Sequence, residues 1–223
     1  IDTAMQAGVE RNLGHDYLQD IEERYSETAR ITSPTPWDII NELMQGGLGA
    51  GELGVVVAPA GIGKTWVLSA MGAYAISKGL NVVHYTLELN EAYVGLRYDS
   101  IFSGVEGQNL KYHKEEVMEK LFKLDGNLTI KYYPTKACTV NTLSAHLKKV
   151  TTFGTKVDMV LVDYADIMKD VNKHTEMRHA LGSIYEDLRG LAGEMQIPIW
   201  TASQANRSAL DEDVIEANKV AES

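Results

Sequence analysis

The stretch APAGIGKT, Ala58 to Thr65, closes on Gly63, Lys64 and Thr65, the three residues that end a phosphate-binding loop. Such a loop holds an anion with consecutive backbone N–H groups and a helix N-terminus, while a lysine neutralises charge and a final hydroxyl reaches Mg2+. The usual first residue is glycine, and here it is Ala58; at a strand end a methyl group can be accommodated. Beyond Pro59, Ala60 and Ile62, the glycines Gly61 and Gly63 allow close backbone approach, and Lys64 is placed to reach the β- and γ-phosphates. Thr65 is the expected Mg2+ ligand and Trp66 continues into the helix.

A second acidic group must hold the hydrated metal. MVLVDYADIM supplies four apolar residues and then Asp163, while Asp166 reads as a helix or loop residue. Hydrolysis also needs a group that orients or deprotonates water. Glu88 follows the strand VVHYT at the carboxyl end of the expected sheet, where ligands of such sheets bind. It is either that group or an exposed loop carboxylate. Gln204, after IWTAS, is either a γ-phosphate sensor or an amide bound to the backbone.

These residues need strands to present them. From Leu53 onward, short β-branched runs alternate with longer helical segments, the pattern of βα units around a parallel sheet. Strands are expected at 53–58, 81–86, 128–133, 158–163 and 197–203, and helices at about 64–78, 91–103, 114–124, 139–153 and 176–195. Residues 1–52 differ. Leu13, Tyr17, Ile21 and Tyr25 recur every four residues, a narrow apolar stripe on a charged helix that needs a surface to lie against. TPWDIINELMQGG reads as a second helix, with Thr35 as N-cap, Pro36 and Asp38 in the first turn and Gly46 as the stop.

The 223 residues suffice for one α/β domain with an arm. A net charge of −10 argues against a basic surface coating nucleic acid, so any such contact is local. Apolar runs are too short to span a membrane, and a cytoplasmic protein is expected. The single cysteine, Cys138, rules out an internal disulfide and reads as a buried apolar side chain. His174 and His179 lack a third ligand and read as a helix start.

At these residues the chain resembles the DnaB-type replicative helicases of superfamily 4, and among them the T-even bacteriophage branch. The family's phosphate loop commonly begins with Ala, as APAGIGKT does; TLELNEAYVGLRYDSI is similar to its second-strand motif, VDYADIM to its Walker B segment, and EDLRGLAGEMQIPIWTASQANRS to its long helix and sensor strand. KYYPTKACTVNTLSAHL resembles the phage branch in particular. The likeness runs from about Gly46 to Arg207. It implies an α/β RecA-like P-loop NTPase core with a mostly parallel central sheet flanked by helices. It also implies ATP and Mg2+ as cofactors, a homo-hexameric ring, hydrolysis at subunit interfaces and movement along single-stranded DNA. Glu88 would then be the catalytic base, Arg97 the arginine that recurs nine residues later, and Gln204 the sensor.

By the same resemblance residues 1–34 form a helical linker that docks on an adjacent subunit, and residues 35–223 the ATPase core, truncated before the basic finger that a neighbour supplies. No residue is assigned that finger; Arg207 and Lys219 read as surface charges. A primase and a helicase loader are the further partners it suggests. In RecA-like rings the loops after the Walker B and sensor strands face the channel, which makes Lys169, Lys173, Arg178 and Arg207 the candidate contacts to DNA phosphates. Two rivals share parts of this pattern: a RecA- or KaiC-like ATPase without helicase activity, and a small-molecule phosphoryl transferase, against which stands the lack of an Arg-rich lid.

Overall fold

A computed structural model describes residues 14–26, 31–172, 174 and 176–205. The chain divides into two units, Ile1–Ile31 and Thr32–Ser223. In the first, the described helix covers Ile21–Ser26 (α1), and Tyr17 lies ahead of it in a turn where Asp16 Oδ1 accepts from the N–H groups of Leu18 and Gln19. Tyr17, Ile21 and Tyr25 are exposed, and Leu13 lies outside the described residues.

The second unit begins with a two-residue antiparallel pairing of β1 (Thr32–Ser33) and β2 (Leu48–Gly49) around α2 (Asp38–Leu43). Thr35 is not its N-cap. That position falls to Trp37, with no side-chain cap. Thr35 is buried and gives its N–H to Asn41 Oδ1 at 2.7 Å, while Asn41 Nδ2 donates to Thr35 O. Asn41 thus occupies the backbone groups a capping threonine would leave to the helix. Nor is Gly46 the immediate stop: Met44 is the C-cap, and the Gly46 N–H closes the end onto Asn41 O.

Five strands build the main sheet: β3 (Leu53–Ala58), β4 (Val82–Thr86), β5 (Leu128–Tyr132), β6 (Met159–Asp163) and β7 (Ile199–Gln204). All pair in parallel, in the order β3-β7-β6-β4-β5. β4 and β6 are buried at every position, as strands covered on both faces must be. One face carries α3 (Lys64–Ser77) and α4 (Glu91–Ser103), which pack Leu68, Met71, Val94 and Tyr98 on Val82, Met159 and Leu161. The other carries α6 (Val140–Thr152) and α7 (Met177–Met195), with Leu143, Leu147 and Leu188 on Val83, Val160 and Val162. Between α4 and β5 lies α5 (Lys114–Leu121). Asn90 caps α4 by accepting from Tyr93 N–H, and Thr139 and Thr142 form a capping box on α6. Cys138 is buried. Among the described residues no helix is long and apolar enough to cross a membrane.

Candidate functional site

The carboxyl ends of the strands converge on a cavity of about 310 Å³. β3 turns into α3 through residues 59–63, where Gly61 (φ 78°) and Gly63 (φ 104°) take the left-handed conformation that favours glycine. Gly63 is the N-cap of α3 and offers no side chain, so the first amides of the helix stay open to an anion. Register does the rest: Ala58 stands beside Gln204, and Thr86 beside Asp163. The cavity is lined by Ala60, Gly61, Gly63, Lys64, Thr65 and Trp66 from the loop and helix, Glu88 after β4, Arg97 from α4, Asp163 from β6 and Gln204 from β7. Ala58 and Pro59 contribute carbonyls, each accepting from Lys64 Nζ at 3.2 Å, whereas the Ile62 side chain is exposed.

Asp163 is 1% exposed, and neither carboxylate oxygen has a partner of full hydrogen-bond geometry. Burial raises its pKa; the neighbouring Thr65 hydroxyl and the charges of Arg97 and Lys64 act against that rise, and Glu88 adds to it. A buried, unpaired carboxylate is expensive. Beside a threonine hydroxyl, two hard oxygen donors are what Mg2+ takes when it also keeps water and phosphate oxygens, so Thr65 and Asp163 fit that ion. Glu88 is exposed at the mouth of the cavity, free of hydrogen bonds and ion pairs to the described residues.

Several features escaped the sequence. Arg97 stacks on Trp66 at 5.2 Å, and its Nη1 is buried without a partner. Tyr164 and Leu89 line the cavity, and Lys64 Nζ lies 5.6 Å from the Tyr164 ring. Their adjacency to Asp163 and Glu88 was the available signal. Asp166 lies in a 3-10 turn, Ala165–Ile167, and accepts from Tyr185, Ser203 and the Gln204 backbone.

Of the expected DNA contacts, two lie among the described residues. Lys169 is exposed in the segment after β6. Arg178 is the second residue of α7, inside the helix expected at 176–195, and Asp170 ties the preceding segment to that helix. It accepts from the N–H groups of Asn172 and His174 and from Ser183 Oγ, bonds that hold its carboxyl well below the usual range. Lys173 and Arg207 lie outside the described residues. His174 pairs with Asp170, and among the described residues the one group with metal-ligand spacing is His15, Asp20 and Glu23 in the first unit.

An all-parallel sheet, a phosphate loop feeding α3, and acidic groups at the ends of neighbouring strands define a P-loop NTPase core of the RecA-like class. Solved structures share the fold: a DnaB-like replicative helicase described with its interactions with primase (TM-score 0.73, 16% identity, 96% of this chain and 53% of that one) and a separately solved ATPase domain (TM-score 0.74, 16% identity, 89% and 74%). The chain belongs to the DnaB-like helicase C-terminal domain family, whose sequence profile matches residues 34–214. It is 27% identical over 234 aligned residues to the DnaB-like replicative helicase of Enterobacteria phage T4, covering 99% of this chain and 49% of the relative. To the replicative DNA helicase DnaB of Helicobacter pylori J99 it is 26% identical, over 75% of this chain and 35% of that one. The chain thus spans half or less of the length of these curated relatives.

Proposed function

We propose that this domain is the ATP-hydrolysing motor of a replicative DNA helicase, working as a homo-hexamer whose subunit interfaces close the nucleotide site and couple hydrolysis to translocation on single-stranded DNA. The observation that carries the reading is the meeting of Lys64, Thr65, Asp163, Glu88 and Gln204 around one cavity from four separate segments. Family membership and a phage helicase among the relatives support it.

In this reading the Lys64 ammonium leaves the Ala58 and Pro59 carbonyls for the β- and γ-phosphates, and the amides of the loop and the first turn of α3 hold the phosphate oxygens. Thr65 and Asp163 hold Mg2+, which when bound neutralises charge developing between the β- and γ-phosphates. Glu88, with both carboxylate oxygens unengaged by the described residues, takes a proton from the water in line with the γ-phosphorus. Gln204 hydrogen-bonds the γ-phosphate and responds to its loss. Arg97, stacked on Trp66, adds positive charge from within the subunit. Lys169, Lys173, Arg178 and Arg207 supply phosphate contacts to DNA; a primase, as in the structural relative's description, and a loader are the further partners, and the working compartment is the cytoplasm.

The test is ATP turnover by the full-length protein with and without a single-stranded oligonucleotide, together with unwinding of a forked duplex. Glu88→Gln should retain nucleotide binding and lose about 10²- to 10⁴-fold in turnover. Unchanged turnover removes Glu88 from its role; DNA-stimulated turnover with no unwinding favours a RecA-like ATPase of another kind.

A further inference from the structure

β7 outruns its neighbour. Its pairing with β6 stops at Val162 and Thr201, whereas its pairing with β3 continues to Ala58 and Gln204. On the β6 side, where β6 ends at Asp163, Ser203 and Gln204 therefore have no strand beside them. Asp166 fills that place. Its carboxylate accepts from the Gln204 N–H at 2.7 Å, from Ser203 Oγ at 3.1 and 3.2 Å, and from the Tyr185 hydroxyl of α7. The turn carrying it is fastened to the same strand: Ala165 N–H donates to Thr201 Oγ1, which donates to Val162 O. On the far side, Ala205 N–H closes onto Ala58 O, where the phosphate loop begins.

We propose that Asp166 is a positioning residue for Gln204: its carboxylate replaces the missing strand neighbour, latches the sensor end of β7 to α7, and so fixes where the Gln204 amide stands in the nucleotide cavity. This rests on the hydrolytic function proposed above. A carboxylate suits the place because it is acceptor-only, and three donors converge on it. Asparagine has the same shape but no charge and one acceptor oxygen; the Ser203 and Tyr185 hydroxyls can turn to accept from its NH2 group, so the substitution replaces charge-assisted bonds by weaker neutral ones and loosens the latch with almost no change in volume. Ala at this position would also open space and Leu would add bulk, so both confuse the two effects.

The experiment measures steady-state ATP hydrolysis by the full-length protein with Mg2+ and a single-stranded oligonucleotide, comparing wild type, Asp166→Asn, Gln204→Ala and the double variant. Asp166→Asn is expected to lower kcat about tenfold or more with KM within about twofold. In the Gln204→Ala background it should add nothing, since a residue that acts through Gln204 has nothing left to position. A kcat within about twofold of wild type overturns the proposal, as do losses that multiply in the double variant. Should Asp166→Asn not fold, Tyr185→Phe removes one donor and leaves the carboxylate with its other partners; the same loss in kcat at unchanged KM, smaller in size, is expected, and an unchanged kcat overturns the proposal. Wild-type protein without turnover sinks this inference along with the proposed function, whereas an active wild type matched by Asp166→Asn sinks the inference alone.

Discussion

The two faces of the sheet bury polar groups in opposite ways. Against α6 and α7 those groups are paired: Tyr85 Oη with His146 Nδ1, Ser183 with Asp170 and Asn172, Tyr185 with Asp166, and Thr201 with Val162 O. Against α3 and α4 pairing is incomplete: Tyr98 Oη meets His84 Nδ1 and Thr86 Oγ1 donates to Leu89 O, but other groups are left over. Among the described residues, every buried side-chain polar atom without a hydrogen-bond partner lies there, on Ser69, His84, Arg97, Ser100, Asp163 and Trp200. Native interiors leave few such atoms, and each costs about 1–3 kcal/mol. The unpaired groups gather on the face whose α3 N-terminus and β6 end form the candidate cavity, and two of them, Arg97 and Asp163, line it.

That contrast breaks most readily at Asp163. Asp163→Asn should reduce ATP turnover by about a hundredfold or more, through loss of the charge proposed to hold Mg2+, yet raise the melting temperature. The sign follows from the carboxyl's raised folded-state pKa: the native state holds its proton to higher pH than the unfolded chain, so the group destabilises the fold at neutral pH. The destabilisation fades as pH falls through the folded value and is gone below about 3.8, the ordinary value. The gain in the variant should therefore shrink on acidification; a melting temperature that drops at pH 7 would show that the carboxylate is not an uncompensated electrostatic cost.

The paired face should respond in the reverse sense. Leu188→Ala, at a fully buried position on α7, should cost about 2–5 kcal/mol in chemical denaturation while leaving the KM for ATP near wild type. Equal losses of stability and nucleotide affinity would mean that the faces do not divide the work as described. The mildest effect concerns His84, whose Nδ1 meets Tyr98 Oη at 2.8 Å while Nε2 is unpaired. Burial, helped by Arg97, lowers its pKa from 6.5 to about 3. A group so depressed contributes stability above the unfolded value that is lost as pH falls, and between pH 7 and 5 the loss is about 2 kcal/mol. His84→Gln should flatten that slope in a pH series of denaturation curves; an unchanged slope would remove His84 as its source.

Much of the site is legible in the sequence because its chemistry is local. The loop Ala58–Thr65, with its glycines, lysine and threonine, carries its meaning in consecutive residues, and four apolar residues before Asp163 announce a buried strand wherever it lies. The differences come from competition that a linear pattern does not contain. Thr35 has the form of a cap, but Asn41, six residues on, takes its backbone groups. The stripe of Tyr17, Ile21 and Tyr25 suggests a helix through all three, but Tyr17 lies in a turn where Asp16 Oδ1 holds the N–H groups of Leu18 and Gln19. The way the segment before α7 is held depends on Asp170 meeting Ser183 across the turn, a contact between positions thirteen apart. The last strand begins at Ile199, after Pro198, which has no N–H to give a ladder; it ends one residue later than the pattern suggests, with Gln204 inside it.

By itself the sequence determined the succession of strands and helices and the identity of the phosphate loop, since both depend on residues within a few positions of one another. The tertiary structure decided the strand order β3-β7-β6-β4-β5, and with it the convergence of Glu88, Asp163 and Gln204 on one cavity and the place of Asp166 beside Gln204. Those relations join segments up to more than a hundred residues apart, and which segments become neighbours is fixed by the apolar faces the sheet must bury, not by any local pattern.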